Sequence, residues 1–193
     1  MIDLDQRPVI IALAGPNGAG KTTFYQAHLR PAGLRFVNAD VVARELRIES
    51  YPAVRVAAGI RNELVNQRES FVFETVFSDP VGDKLEFLWT ASQAGYNTIL
   101  CFIGIAGPRV SEQRVAMRVS QGGHDVPTEK LEERFPGILA NLKAALMELP
   151  NVLVFDNNDL RKPYRLVAVV HRGCVMKLRR PVPAWLVALL PKP

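Results

Sequence analysis

Eight residues, Gly15-Pro16-Asn17-Gly18-Ala19-Gly20-Lys21-Thr22, set three glycines, a lysine and a hydroxyl at a spacing that suits a chain of phosphates. The glycines let the backbone curl so that N–H groups point inward at anionic oxygens. A helix starting at the end of the loop adds its positive terminus, Lys21 reaches the outer phosphates, and Thr22 offers a hydroxyl to Mg²⁺. The pattern G-x-x-x-x-G-K-[ST] is met at every defined position, and Thr23 extends its polar edge. The loop alone leaves three uses of a nucleoside triphosphate open: hydrolysis for motion, hydrolysis to time a switch, or transfer to a second molecule.

Two carboxylates narrow the choice. Asp40 is expected to close the second strand and Glu74 to end the third, at the sheet edge from which the phosphate loop emerges. A carboxylate there can take the proton of an attacking hydroxyl or hold Mg²⁺ through water. Asp40 can equally cap the helix that follows it. Asp156, after the apolar run 151–155, is the residue a motor or switch ATPase would need, but it precedes two asparagines and reads as part of a turn. Arg109, Arg114, Arg118 and Arg134 flank the glycine-containing stretch GGHDVP at 122–127. Arginines on a mobile segment can close on a transferring phosphoryl group while excluding water, or simply form a solvated basic face. His124 is assigned no chemical step.

The elements that must position these groups alternate between strand and helix patterns. Continuous apolar runs at 8–14, 70–77, 96–105 and 151–157, with a short one at 35–40, predict a mostly parallel sheet covered on both faces. Helical patterns are expected from about Gly20 to Leu29, after Asp40, and over 53–68, 80–95, 109–120 and 128–149. Gly95 is the expected stop of the fourth of these, Thr128 the expected N-cap of the last, and Pro136 an expected kink or break within it. The tail changes character: 164–178 reads as two antiparallel strands around His171-Arg172-Gly173, followed by a short helix over 182–190. With no Gly/Ser-rich linker and no repeat, residues 1–193 are expected to form one α/β domain with a lid-like segment at about 109–134 and a hairpin at about 164–179.

Composition excludes some classes. Hydrophobic residues make up 48% and charged residues 22%, as in soluble globular proteins, and no run reaches the length a membrane span needs. The start MIDLDQRP does not read as a signal peptide, so the cytoplasm is the expected compartment. Cys101 and Cys174 are widely separated, without metal-type spacing, and are expected to be buried, reduced thiols. The net charge of +5 suits either nucleic acid or polyphosphorylated small molecules, but no nucleic-acid-binding motif accompanies it.

Taken in order, AGPNGAGKTTF, FVNAD, SFVFETVFS, AGYNTILCFIGI, RVAMRVSQGGHDVP and NVLVFDN resemble the zeta-toxin family of phosphate-loop small-molecule kinases, from about residue 9 to 160. That resemblance implies a kinase-type parallel sheet and an ATP- and Mg²⁺-dependent transfer to a sugar hydroxyl. UDP-N-acetylglucosamine is the leading acceptor, and another nucleotide sugar or metabolite is the alternative. It implies that Gly15 to Thr23 bind ATP, with Lys21 catalytic and Thr22 on the metal. Asp40 would be the base, Glu74 and Thr75 would line the acceptor site, and Arg118 and Arg134, with Arg114 next, would steady the γ-phosphate. An antitoxin protein is the partner that it implies. From a different class, a nucleotide-dependent nucleic-acid-binding or switch ATPase stays open on the residues alone.

Overall fold

Six consecutive apolar residues without a turn former are satisfied as a strand with both faces covered, and Val9–Ala14 forms that strand, β1, buried along its whole length. The computed structural model describes residues 6–122 and 125–191. β1 is the middle one of the five parallel strands. It pairs in parallel with β3 (Phe71–Thr75) on one side and β4 (Asn97–Gly104) on the other. β2 (Arg35–Val37) adds to β3, and β5 (Asn151–Asp156) adds to β4, again in parallel. β6 (Arg165–His171) and β7 (Cys174–Leu178) continue the sheet antiparallel, giving seven strands in the order β2-β3-β1-β4-β5-β6-β7. The expected α/β sheet with a C-terminal antiparallel hairpin is therefore observed.

The alternation of side chains along β1 builds two cores. Ile10, Ala12 and Ala14 join Phe71, Phe73 and Leu100 beneath α3 (Ser50–Asn66), α4 (Asp83–Gln93) and α6 (Thr128–Glu148). Val9, Ile11 and Leu13 face the other way, onto Phe24 and Tyr25 of the segment after the phosphate loop. That segment opens as α1 (Lys21–Phe24), then widens into a π-helical turn over Tyr25–Leu29. α2 (Ala39–Leu46) follows β2, α5 (Pro108–Ser120) follows β4, and α7 (Ala184–Val187) is the last described helix. Among the described residues, no helix is long and apolar enough to cross a membrane.

Several expectations are corrected. Asp40 does not end the second strand and does not cap α2. Asn38 is the cap, its Oδ1 accepting the N–H groups of Asp40 (2.7 Å) and Val41 (3.3 Å), which places Asp40 in the first helical turn. Thr128 is likewise inside its helix, and its hydroxyl donates to Glu112 of α5 at 2.8 Å, tying the two helices together. α6 runs through Pro136 without a break. Pro136 and Glu132, whose carbonyl loses its usual donor, are both exposed, so solvent can serve that group. Cys101 is buried but Cys174 is exposed on β7. Gly95, with φ of +87°, does stop α4 as expected.

Candidate active site

The phosphate loop occupies 15–20, between the C-terminal end of β1 and the start of α1. Gly15, Gly18 and Gly20 take φ of +141°, +73° and +90°, a conformation that L side chains resist. Lys21, only 6% exposed, folds back into the loop and donates through Nζ to the carbonyls of Gly15 (2.9 Å) and Pro16 (3.0 Å). Burial pulls the Lys21 ammonium below its ordinary pKa, while Glu74 and then Asp40 push it back up and Arg118 opposes them. Glu74, Asp40 and Arg118 therefore all lie within electrostatic reach of one ammonium.

Glu74 is the hub of this edge. β3 alternates, so Phe71 and Phe73 enter one core while Glu74 turns to the opposite face, towards the loop. Its Oε1 lies 3.9 Å from Lys21 Nζ, and its Oε2 accepts from the Thr22 hydroxyl (2.8 Å) and from Asn38 Nδ2 (2.9 Å). Asn38 thus does two things: it caps α2, which carries Asp40, and it ties that cap to Glu74. Thr22 and Glu74 offer adjacent hard oxygens, the kind of set that suits Mg²⁺ when phosphates supply the remaining ligands. Among the described residues no cluster of three or more His, Cys, Asp or Glu side chains is gathered elsewhere for a metal.

The outer face of the loop is held carbonyl by carbonyl. Ser111 Oγ donates to Asn17 O at 2.6 Å, Arg114 Nη1 to Gly18 O at 3.5 Å, Asn157 Nδ2 to Ala19 O at 2.8 Å, and Tyr164 OH to Gly20 O at 3.0 Å. Arg114 Nη2 also donates to the carbonyls of Asn157 (2.7 Å) and Asn158 (3.1 Å), joining the clamp across the end of β5. A Cβ at Gly20 would stand 2.8 Å from the Tyr164 hydroxyl and 2.9 Å from Asn157 Nδ2, so glycine is required here for close approach as well as for φ. Tyr164 itself has φ of +53° and packs edge-on against Phe24 and His28. Burial draws the Arg114 guanidinium down from its ordinary range, against the pull of Tyr164 and Asp156, and burial raises the Tyr164 phenol.

The structure therefore brings Lys21, Thr22, Glu74 and Asp40 together, with Arg118 exposed on α5 but within reach of Lys21's charge. Thr23 is exposed beside the Tyr164 hydroxyl. Thr75 points to the other face of β3, where its Oγ1 accepts the N–H of Phe77 at 3.0 Å. Arg134 is half-buried on α6, next to Phe135 of the core behind the loop, and Arg109 is exposed. Arg114 serves the clamp rather than an open basic face. Asp156 accepts from Arg165 Nη2 (3.2 Å) and Trp185 Nε1 (3.3 Å), an architectural use that fits its reading as structural. His124 lies outside the described residues. The residues that the sequence did not mark are Asn38, Ser111, Asn157 and Tyr164. Of these only Asn38, two residues before an acid at a helix start, carried a local capping signal.

A family model described as an AAA domain matches residues 10–137. An uncharacterized protein of Haemophilus influenzae is 25% identical over 130 residues, which is 65% of this chain and 91% of the relative. Among solved structures, a chain of the AvrRxo1-ORF1:AvrRxo1-ORF2 complex with sulphate ions superposes with a TM-score of 0.71 at 19% identity. That match covers 92% of this chain, which spans only 62% of the other's length. The same complex with ATP gives a TM-score of 0.70 at 20% identity, covering 91% of this chain and 61% of that one. A chain of the PezAT chromosomal toxin–antitoxin system of Streptococcus pneumoniae gives 0.58 at 12% identity, covering 97% of this chain and 78% of that one. At these identities the likeness is one of fold.

Proposed function

From the premise that this chain belongs to the AAA-domain family, we propose that it is an ATP-dependent phosphotransferase with a small hydroxyl-bearing acceptor. UDP-N-acetylglucosamine is the leading acceptor. The observation that carries this reading is the pair of carboxylates at the loop's open edge: Glu74 stands 3.9 Å from Lys21 Nζ, and Asn38 bonds both the Glu74 carboxylate and the N–H of Asp40. Hydrolysis needs one group to orient water. Two acids on separate elements, one of them exposed in the first turn of a helix, suit a bound acceptor better. The resemblance to zeta toxins and the fold shared with a complex that contains ATP support the same direction.

In this mechanism the loop amides and Lys21 hold the β- and γ-phosphates, with Lys21 leaving the carbonyls of Gly15 and Pro16 to do so. Mg²⁺, when bound beside Thr22 and Glu74, supplies charge neutralisation on the phosphate oxygens. Asp40 takes the proton of the acceptor hydroxyl as its oxygen forms a bond to the γ-phosphorus. The bond from that phosphorus to the β–γ bridging oxygen breaks, and ADP leaves with the electron pair. Arg118 and Arg134 steady the charge on the transferring group, Arg118 from α5 and Arg134 from α6, within a lid over 109–134. Thr75 and the Asn38-anchored side of Glu74 line the acceptor side. The whole of 1–193 acts as one domain in the cytoplasm, with a protein antitoxin over the nucleotide cleft as its partner, a reading supported by the toxin–antitoxin system to which the Streptococcus pneumoniae neighbour belongs.

Asp40→Asn tests the assignment. It is expected to lower transfer by about 100-fold or more while the Kd for ATP stays within about threefold. Full transfer by that variant would remove Asp40 as the base.

A further inference from the structure

On α3 the inward row runs Ala53, Ala57, then half-buried Arg61, then Leu64, at helical spacing. An arginine thus stands where the helix period calls for an apolar residue. Its guanidinium carbon lies 5.0 Å from the centre of the Phe73 ring and 5.6 Å from that of Phe87, cation over aromatic face. Burial draws this guanidinium below its usual range, and Asp79 pulls it back up. Three buried side-chain atoms lack a hydrogen-bond partner among the described residues, and two of them, Arg61 Nε and Asp79 Oδ1, belong to this place. Burying a donor and an acceptor that find no hydrogen-bond partner is costly.

The loop that carries Asp79 is built, not loose. Phe77, 1% exposed, adopts φ of +66°, a strained value for an aromatic residue. Thr75 Oγ1 accepts its N–H, and Asn141 Nδ2 of α6 donates to the carbonyls of both Phe77 (3.0 Å) and Asp79 (2.9 Å). Lys84 adds its ammonium 3.8 Å from Asp79 Oδ1 and its backbone N–H to Oδ2 at 3.4 Å. This loop leaves the same end of β3 that carries Glu74 and Thr75, on the face that Phe73 shares.

We infer that Arg61, over Phe73 and Phe87, and Asp79, on the loop after β3, form the recognition site for the non-reacting end of the acceptor, which bears an oxyanion next to a hydroxyl or amide N–H. Arg61 donates to the oxyanion, Asp79 Oδ1 accepts from the neighbouring hydroxyl or N–H, and the half-buried Phe87 ring walls the site, while fully buried Phe73 backs the guanidinium. This rests on the phosphotransfer reading and deepens it, because it makes the acceptor an anion. The oxyanion is a diphosphate if the acceptor is a nucleotide sugar, or a carboxylate if it is a sugar acid.

The test measures transfer from γ-labelled ATP by the wild-type protein to UDP-N-acetylglucosamine, to glucuronate, to uncharged N-acetylglucosamine, and to a deproteinised bacterial metabolite extract. It is repeated with Arg61→Met, Arg61→Lys and Asp79→Asn. The wild type is expected to label an anionic acceptor in preference to the neutral one, and which anion is labelled tells diphosphate from carboxylate. Arg61→Met should raise the acceptor KM by about 10- to 100-fold, the value of a hydrogen bond to a charged group, with KM for ATP unchanged. Arg61→Lys should recover part of the loss, and it stands in if Arg61→Met does not fold. Unchanged acceptor KM in folded Arg61 and Asp79 variants, or equal preference for the neutral sugar, would overturn the inference and leave phosphotransfer standing. No labelled product from any source with the wild type would overturn the phosphotransfer reading, and this inference with it.

Discussion

Replacing Asn157 with alanine should show how much the loop depends on being held from behind. Asn157 is 2% exposed; its Nδ2 donates to Ala19 O at 2.8 Å and its Oδ1 accepts the N–H of Tyr164 at 3.2 Å. Alanine removes both bonds and strands a carbonyl on Ala19, which is fully buried. Each lost bond that leaves a buried group unmet costs about 1–3 kcal/mol. Tyr164 is only half-buried, so water can serve its N–H, and the sum comes to about 2–4 kcal/mol. For a chain of this size each kcal/mol moves Tm by about 2–4 °C, so a drop of about 4–16 °C is expected in a thermal melt. Since the freed carbonyl belongs to the phosphate loop, KM for ATP should also rise by about tenfold or more. Tyr164→Phe removes one bond, to Gly20 O at 3.0 Å, and should cost only about 0.5–1.5 kcal/mol. The double variant should fall short of the sum, because the two residues bond each other. A Tm within about 1 °C of wild type for Asn157→Ala, with unaltered KM for ATP, would refute the clamp as a support of the loop.

Glu74→Gln should raise the Mg²⁺ concentration for half-maximal transfer by about tenfold or more, because its Oε2 is bound to the Thr22 hydroxyl, and should raise the acceptor KM by a smaller factor; a raised acceptor KM with an unchanged Mg²⁺ requirement in a steady-state titration would assign Glu74 to the acceptor alone. Gly104→Ala puts a Cβ into the indole of Trp185, so α7 should lose its docking on the sheet, read as a red shift of tryptophan emission against the already exposed Trp89. Burial pushes the Cys101 thiol up to about 12, so at pH 8 about one molecule in ten thousand carries the thiolate. Iodoacetamide should add one group to the native protein, at exposed Cys174, and two after denaturation, counted by mass spectrometry.

The sequence is most legible where one local rule acts alone. The phosphate loop is defined by its own glycines, and the strands around it by unbroken apolar runs, so both could be placed from residues 9–22 and their like. Glu74 could be placed because alternation along a five-residue strand leaves it little choice of face. Asp40 was harder: two polar residues compete to start α2, and Asn38 takes the cap because its amide can serve Glu74 at the same time. The clamp was not legible. Its bonds join Ala19 to Asn157 and Gly20 to Tyr164, separations of 138 and 144 residues, and no local pattern distinguishes those side chains from turn formers. Arg114 shows the same limit in reverse. Its four-residue spacing from Arg118 promised a shared basic face, but its proximity to Gly18 and the end of β5 gave it a structural task.

Transfer and hydrolysis are told apart by mass spectrometry of small molecules after incubation with ATP, Mg²⁺ and UDP-N-acetylglucosamine, with Lys21→Ala alongside. A sugar nucleotide heavier by one phosphoryl group is expected, formed with ADP in equal amount and absent with the variant. Consumption of ATP to ADP and free phosphate, with no phosphorylated acceptor from this sugar nucleotide or from a metabolite extract, would contradict transfer.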